Sequence, residues 1–313
     1  MVQSIANRLI STVPILFVVS VLIFSLLYLT PGDPAQMIAG AQATQDDVER
    51  IREALGLNDP ALMRYFDWLW DVLHFDFGRS VFNGRSVTEL IMQRMEPTFS
   101  LMALTTLFAI VIAVPLGVLA AWRANSVVDR IVLVLSIASF SIPVFVTGYV
   151  LAYYVAFKTG LLPVQGYAFL KEGVGEWLAH LVLPSVSLGL IYVALISRIT
   201  RASMLEVLSE DYIRTARAKG LLGRRILFVH ALRNAANPIV TVVGVGVALL
   251  LGGAVVIESV FNIPGIGRLT VDAILRRDYP IIQGVMLLFA MIYIVVNLII
   301  DLLYTVFDPR IRY

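Results

Sequence analysis

The stretch that decides the organisation of this chain is Arg198–Arg233, RITRASMLEVLSEDYIRTARAKGLLGRRILFVHALR, which lies between two long apolar runs. It contains eight basic and three acidic residues, whereas only 15% of the whole chain is charged. Apolar residues recur in it at helical spacing, so we expect short helices rather than a passive loop. A basic connection between membrane spans indicates a position at the cytoplasmic face.

The composition around this stretch is that of a membrane protein. Hydrophobic residues make up 59% of the 313 residues, and the mean hydropathy is +0.85. A soluble protein of this length has too little interior to hide so much apolar surface, so the predicted solvent is lipid. The sequence has no cysteine, which excludes disulfides and thiolate metal sites, and its net charge of +2 does not indicate a nucleic-acid partner.

Six apolar runs are long enough to cross about 30 Å of hydrocarbon at about 1.5 Å per residue. They are Leu9–Leu29, Phe99–Trp122, Ile131–Phe157, Leu178–Ile199, Pro238–Ile257 and Ile281–Phe307. The predicted fold class is therefore an all-α integral membrane protein with six transmembrane helices. The first run is too long for a signal-peptide core and is interpreted as a retained anchor. Basic residues in the short loops predict that both termini are cytoplasmic.

These runs divide the chain into three parts. Residues 1–30 form an N-terminal anchor helix, residues 31–97 an external helical insertion, and residues 98–313 a five-helix core that includes the connector, residues 200–236. The insertion carries eleven acidic and six basic residues, so its charge is opposite to that of the connector.

The insertion has helical patterns of its own. Helices are predicted over Gln45–Gly56, which glycine ends, and over Pro60–His74. A third begins at Ser86–Glu89, which has the form of a capping box, and is predicted to end at Pro97. The aromatic residues of the second helix are either a binding surface or interfacial anchors: Tyr65, Trp68 and Trp70.

Sequence signatures of enzymes are absent. The chain has no G-x-x-x-x-G-K-[ST] loop for ATP, no H-E-x-x-H pair and no G-x-S-x-G elbow. Its three histidines, at positions 74, 180 and 230, are far apart in sequence and do not have the spacing of a metal site. We therefore predict no catalytic residue and no metal site.

A second group of candidate residues follows the fifth apolar run. Glu258 precedes a segment that contains a proline and glycines. These residues predict a re-entrant or interfacial turn. Prolines also lie inside three spans, at Pro115, Pro143 and Pro184, where each removes a helix hydrogen bond and bends or unwinds its span. Such bends form a pathway between helices or are packing kinks alone. The candidate pathway or gate residues are Glu258, Pro264, Gly265, Gly267 and Pro143.

The connector itself is predicted to be two short helices joined at a glycine. The first covers Leu205–Lys219, and Gly220 ends it; the second covers Arg224–Asn234. Acidic residues lead the first helix and basic residues end it, an order that suits the helix dipole. A lipid-headgroup clamp or simple positive-inside topology also explains the charge, but neither explains a double helix with a glycine hinge.

The connector resembles a known element. Arg214–Gly220, nine further residues and His230–Arg233 are similar to the EAA loop of ATP-binding-cassette importer permeases, whose general form is E-A-A-x-x-x-G, nine residues and I-x-L-P. Arg214, Thr215 and Arg233 depart from that form. The same departures occur in the branch of permeases for dipeptides, oligopeptides, glutathione and nickel chelates.

Resemblance to that branch extends along nearly the whole chain. The strings that carry it are Pro31-Gly32-Asp33-Pro34, Asp211–Gly220, His230–Ala235, Pro264-Gly265-Ile266-Gly267, Arg277-Asp278-Tyr279-Pro280 and Asp308-Pro309-Arg310. The short N-terminal segment and the first span resemble those of the B-type subunit. One string is weak evidence, but six in the same order are strong evidence.

This resemblance implies a type I importer permease fold in a bacterial inner membrane. The implied partners are a second, C-type permease, two ATP-binding subunits, an external solute-binding protein and membrane lipid. The chain itself is expected to bind no cofactor, since ATP and Mg²⁺ are used by the ATP-binding subunits. The residues implied in coupling to those subunits are Glu210, Asp211, Tyr212, Arg214, Thr215, Ala216, Arg217, Ala218, Lys219 and Gly220.

Two other classes of protein compete with the permease interpretation. A secondary carrier working alone would need ionisable groups or broken helices at the membrane midplane, where charges are scarce in this sequence. A membrane-embedded enzyme would need a constellation of catalytic groups. For an importer permease the expected substrate is a small peptide, with glutathione or a nickel chelate as alternatives within the same branch.

Overall fold

The computed structural model describes residues 2–29, 33–40, 43–54 and 56–307. Pro31-Gly32 and Asp308-Pro309-Arg310 of the strings above, and both termini, lie outside these residues. The α-helices are α1 (Val2–Leu29), α2 (Pro34–Ala39), α3 (Gln45–Ala54), α4 (Ala61–Leu73), α5 (Val87–Trp122), α6 (Val127–Ser141), α7 (Val144–Leu151), α8 (Val174–Leu208), α9 (Asp211–Ala218), α10 (Gly223–Arg225), α11 (Leu232–Asn234), α12 (Ala236–Val260), α13 (Ile266–Arg276) and α14 (Tyr279–Phe307). The predicted all-α class is confirmed.

The chain forms two compact units. One unit comprises Met1–Met95 with Arg268–Ile294, and the other comprises Glu96–Gly267 with Val295–Tyr313. The first unit contains the predicted insertion except its last two residues, Glu96 and Pro97. The second contains both the connector and the turn that follows Glu258.

Four of the described helices are long and apolar enough to cross a membrane, namely α5, α8, α12 and the Tyr279–Ile300 part of α14. They correspond to the second, fourth, fifth and sixth predicted spans. Over the first predicted span, α1 is one continuous helix of 28 residues, but its described apolar part, Thr12–Leu26, is shorter than the others. The number of spans reaches five if a bent pair of helices counts as one, so six remains a prediction.

The third predicted span, Ile131–Phe157, is not one helix. It is broken between α6 and α7, which are bent by 100° relative to each other, and a π-helical segment, Ala152–Phe157, continues α7. The break has a local cause. Ile142 is extended (φ −96°, ψ 121°) because the following Pro143 disfavours a helical conformation there.

Two helices of the insertion agree with the sequence pattern, and one does not. Helices α3 and α4 confirm the two predicted there, and Gly56 after α3 has a positive φ of +61°. The third begins at Val87 as expected, but the prediction that Pro97 ends it is wrong, since α5 covers 36 residues, from Val87 to Trp122. Pro97 is buried, and membrane helices tolerate proline where neighbouring groups hold the backbone.

The first connector helix also differs from its prediction. Instead of one helix over Leu205–Lys219, α8 continues to Leu208, and α9 begins anew at Asp211. Between them the Ser209 hydroxyl donates to the Glu206 carbonyl at 2.7 Å, and Glu210 is extended (φ −67°, ψ 148°). The second predicted helix is confirmed as α10 and α11, which a π-helical segment, Ile226–Ala231, joins.

Candidate functional site

The connector is anchored to the ends of the long helices through one buried face of α9. Ile213 is fully buried and Ala216 nearly so, three residues apart on that face. Burial of one isoleucine contributes about 2 kcal/mol. The buried cluster around them comprises Val118, Ala121, Met204, Ile213, Ala216, Ile226, Leu227, Ala231, Ala235 and Ile239. These residues come from α5, α8, α9, the π-helical segment Ile226–Ala231 and the start of α12. Helix α9 is therefore fixed to three long helices, α5, α8 and α12.

The opposite face of α9 is exposed and basic. Its exposed residues are Asp211, Tyr212, Arg214, Thr215, Arg217, Ala218 and Lys219. Arg214 lies 3.2 Å from Asp211, but their side chains are 73% and 94% exposed, so this pair contributes little to stability. Glu210 precedes this face and is exposed as well. The arrangement presents a charged surface on a stiff, anchored helix.

Gly220 ends α9 in a Schellman motif. Its φ is +74°, its N–H donates to the Arg217 carbonyl at 2.9 Å, and the Leu221 N–H donates to the Ala216 carbonyl at 3.3 Å. Leu221 then packs against the buried cluster. A Cβ added at Gly220 would meet no heavy atom within 4 Å in the part of the chain that the structure describes. Backbone conformation, not crowding, therefore favours glycine here.

Two further contacts hold the connector. The Arg217 guanidinium lies 5.8 Å from the ring centroid of Trp122, at the end of α5, and a Cβ at Gly223 would lie 3.1 Å from the same indole. Partial burial raises the pKa of the Tyr212 phenol, and the nearby Asn234 side chain of α11 opposes that rise. Sequence reasoning did not select Trp122, although an aromatic residue at the end of a basic-flanked span is a usable signal.

An ion pair joins α6 to the part of α8 that leads into the connector. Arg201 donates to Asp129 from Nε at 2.5 Å and from Nη2 at 2.7 Å, and the Asn125 N–H donates to the same carboxylate at 2.9 Å. The side chain of Asp129 is 3% exposed and that of Arg201 is 22% exposed. Such a bidentate, largely buried pair fixes the relative position of two helices.

Replacement of Asp129 by asparagine is expected to destabilise the protein by roughly 3 kcal/mol, because the Arg201 side chain, only 22% exposed, then keeps its charge without its counterion. The exposed pair Arg85–Glu89 provides a control, since its side chains are 45% and 55% exposed. E89Q is expected to cost about 0.5 kcal/mol or less. Thermal unfolding in detergent measures both; equal melting temperatures for D129N and E89Q would contradict the structural role of Asp129.

The second candidate site is the turn between α12 and α13. Glu258 is fully buried, and the Thr98 hydroxyl donates to its Oε1 at 2.6 Å. The Thr98 oxygen in turn accepts the Ile266 N–H at 2.8 Å. Thr98 was missed by sequence reasoning because it is 160 residues from Glu258 and belongs to no local motif.

Both predicted glycines of this turn lie against the buried carboxylate. A Cβ at Gly265 would lie 2.2 Å from the Glu258 carboxylate, and a Cβ at Gly267 would lie 2.6 Å from the Val255 Cα. Neither distance is compatible with a side chain, so close approach requires both glycines. The structure therefore brings Glu258, Gly265 and Gly267 together as one packed unit.

The two predicted prolines, unlike the two glycines, are not buried. Pro264, in the same turn, and Pro143, at the start of α7, are both exposed in this chain. Helix α7 nevertheless packs on the end of α12, since a Cβ at Gly148 would lie 3.2 Å from Val260 and 3.3 Å from Phe261. The connector and this turn are at opposite ends of α12, whose 25 residues span about 36 Å.

Two of the three histidines make local hydrogen bonds through their rings. His74 Nδ1 lies 2.8 Å from the Trp70 carbonyl, and His180 Nδ1 lies 2.9 Å from the Glu176 carbonyl. Among the described residues, no group of three or more histidine, aspartate or glutamate side chains has the arrangement of a metal site.

Comparison with known proteins gives full-length matches. The chain is 53% identical over 309 residues to a probable peptide ABC transporter permease protein of Sinorhizobium fredii, with 99% of each chain covered. It is 41% identical to a putative peptide transport system permease protein of Brucella abortus, with 100% of each chain covered. It is 39% identical to the glutathione transport system permease protein GsiC of Escherichia coli strain K12, again with 100% of each covered.

A solved structure shares the fold. The MetNI methionine ABC transporter in an inward-facing conformation matches with a TM-score of 0.57 and 18% identity, over 70% of this chain and 96% of that chain. The family described as "Binding-protein-dependent transport system inner membrane component" matches residues 113–313, and its N-terminal counterpart matches residues 1–102. The chain therefore belongs to this family of multi-pass inner-membrane proteins, the permease subunits of ATP-binding-cassette importers, whose ATPase activity lies in partner subunits.

Proposed function

We propose that this chain forms half of the translocation pathway of an importer for small peptides. The proposed complex contains a second, C-type permease, two ATP-binding subunits that use ATP and Mg²⁺, and an external solute-binding protein. Both termini lie in the cytoplasm in this arrangement. The connector from Glu210 to Gly220 is proposed as the surface that an ATP-binding subunit grips.

The geometry of α9 is the observation that carries the coupling proposal. One face of α9 is anchored to three long helices through Ile213 and Ala216. The other face carries charged side chains that are exposed in this chain and free to contact another subunit. A lever needs both features, since an unanchored helix would move without displacing the spans. The Asp129–Arg201 pair supports the same role, because it joins α6 to the helix that leads into the connector.

The turn after Glu258 is proposed as a gate element of the pathway. Its conformation depends on one buried carboxylate and one hydroxyl, so a movement of α5 relative to α12 would alter both hydrogen bonds at once. Pro264 and Pro143 are exposed in this chain and are proposed to line the side of the pathway completed by the second permease.

The proposed substrate class follows from the relatives. Two of those compared are named for peptide transport, and a third is named for glutathione, which is itself a small peptide. A glutathione permease is therefore the second candidate. Selection between them is expected to reside mainly in the external binding protein.

Reconstitution in vesicles tests the importer proposal against a secondary carrier. The purified chain alone is expected to give no accumulation of labelled dipeptide under a proton or sodium gradient. Addition of the second permease, the ATP-binding subunits and the binding protein is expected to give uptake that requires ATP. Gradient-driven accumulation by the isolated chain would refute the proposal, and a protein-free vesicle is the control for leakage.

A further inference from the structure

The first compact unit contains a cleft that is separate from the connector and from the turn after Glu258. The cleft lies between residues 80–83 of the insertion, the start of α5, the second half of α13 and the start of α14, and its volume is about 190 Å³. All of its lining residues belong to this one unit. Pockets that enclose a drug-sized molecule measure about 300–1,000 Å³, so this cleft suits a smaller group, such as one end of a peptide.

One wall of the cleft is fixed by a buried carboxylate. The Ser80 hydroxyl donates to Asp278 Oδ2 at 2.5 Å, and both side chains are almost fully buried. The Val81 N–H donates to Oδ1 of the same carboxylate at 3.4 Å. Asp278 belongs to the string Arg277-Asp278-Tyr279-Pro280 and thus holds the insertion against the start of α14. The cleft is therefore formed without a ligand.

The floor of the cleft is apolar. Four aliphatic side chains line it, each at most 6% exposed: Leu90, Leu269, Ala273 and Ile281. Phe82, which also lines the cleft, is 47% exposed. An apolar floor with a few polar groups beside it is the usual composition of a site for a small molecule.

Two arginines line the cleft without a counterion. Arg94 is partly buried and Arg276 is exposed, and neither forms an ion pair within the part of the chain that the structure describes. Asp272 of α13 attracts the Arg94 guanidinium from beyond ion-pair distance, whereas Arg85 and Arg268 repel it. A guanidinium that is partly removed from water and lacks a paired carboxylate favours the binding of an anion.

We propose that this cleft binds the C-terminal carboxylate of a peptide, with Arg94 and Arg276 as donors and the apolar floor against the terminal side chain. Arg94 donates from Nη1 to the Leu90 carbonyl at 3.1 Å and has further N–H groups for a carboxylate. Asn83 Oδ1 accepts the Arg85 N–H at 3.0 Å, which leaves the amide NH₂ of Asn83 as another donor. The choice of a peptide as the ligand rests on the proposed function, whereas the carboxylate chemistry rests on the cleft itself.

Equilibrium dialysis of radiolabelled alanylphenylalanine against the assembled transporter tests this site. The transporter, without binding protein or nucleotide, is placed in phosphatidylcholine nanodiscs, so that no anionic lipid competes. R94Q is expected to weaken binding by about tenfold or more, and the C-terminal amide of the dipeptide is expected to bind the native protein about as weakly, because each change removes one charge from a hydrogen-bonded pair. R85Q is the matched control: it removes an arginine that does not line the cleft, and it is expected to change the affinity by about twofold or less.

Equal binding of acid and amide, equal affinities of R94Q and R85Q, or no saturable binding would each overturn the inference. Weaker capture of the binding protein by R94Q, with dipeptide binding unchanged, would also overturn it and would place a protein carboxylate in the cleft. If R94Q fails to assemble, R276Q removes the other charge and decides between the same outcomes.

ATP-dependent dipeptide uptake by the complete native complex is measured in parallel, because it tests the proposed function separately. Uptake without binding at the cleft would refute this inference alone. Binding of the acid at the cleft without any uptake would refute the proposed function and leave the carboxylate site standing.

Discussion

Substitution of Gly220 by tryptophan is expected to abolish ATP-driven uptake and substrate-stimulated ATPase activity while the complex still assembles. Within this chain the new side chain has room, because a Cβ at Gly220 meets no heavy atom within 4 Å among the described residues. The positive φ of +74° adds strain of about 1–2 kcal/mol, too little to unfold an anchored helix. A complete loss of uptake would therefore report an obstructed surface and not a misfolded subunit.

Two control variants separate these effects. G220A carries the same backbone strain without bulk, so it is expected to retain most of the uptake. G160W carries strain and bulk outside the connector, since Gly160 has a φ of +67° and equally open surroundings in the described structure, and is expected to behave like the native protein. Co-purification of the ATP-binding subunits monitors assembly. Normal uptake by G220W, or equal losses in G220W and G160W, would contradict a coupling role for this surface.

The sequence predicted those helix boundaries that a local residue determines. Gly56 and Gly220 both adopt positive φ, and each was identified as a helix stop from its position after a periodic segment. The start of α9 at Asp211 was missed because the periodicity of Leu205–Lys219 continues unbroken across it. Ile213 and Ala216 of the new helix are buried against distant helices, and no pattern within the segment identifies those partners.

Two prolines illustrate the same limit. Pro143 breaks its span by 100°, as its predicted bending of the span requires, whereas Pro97, which was predicted to end a helix, lies within a continuous one. Beside Pro97, Thr98 is bonded to Glu258 and to the Ile266 N–H, and these tertiary contacts hold the helix where a proline removes a backbone bond. Residue type gives the tendency to break, and partners remote in sequence decide the outcome.

The candidate site shows where the motif strings were informative. The glycines of Pro264-Gly265-Ile266-Gly267 indicated close backbone approach, and Glu258 was selected as the acidic residue before them. The sequence did not predict that these glycines contact the Glu258 carboxylate, because a threonine on another helix, Thr98, holds that carboxylate in place. The string therefore identified the turn but not the hydroxyl that fixes it.

Replacement of Gly265 by alanine is expected to prevent accumulation of folded, active protein. The new methyl group would lie 2.2 Å from the carboxylate of Glu258, which is fully buried and cannot move into water. Overpacking of this kind costs about 1–3 kcal/mol or more, and displacement of the carboxylate would also break its bond to Thr98. Membrane abundance, melting temperature and uptake measure the loss.

A second substitution tests whether the carboxylate is the cause. E258A removes the group that the methyl meets, so G265A/E258A is expected to give more folded protein than G265A. The recovery is expected to be incomplete, because the Thr98 hydroxyl loses its acceptor at a cost of roughly 1–3 kcal/mol in folding free energy. G267A provides the matched control. Its methyl would lie 2.6 Å from the Val255 Cα and 2.9 Å from Glu258 Oε2. Truncation of Glu258 removes only the second of these contacts, so G267A/E258A is expected to recover much less folded protein than G265A/E258A. Equal recovery of both double variants, or of neither, would show that the packing of Gly265 on Glu258 does not determine this turn.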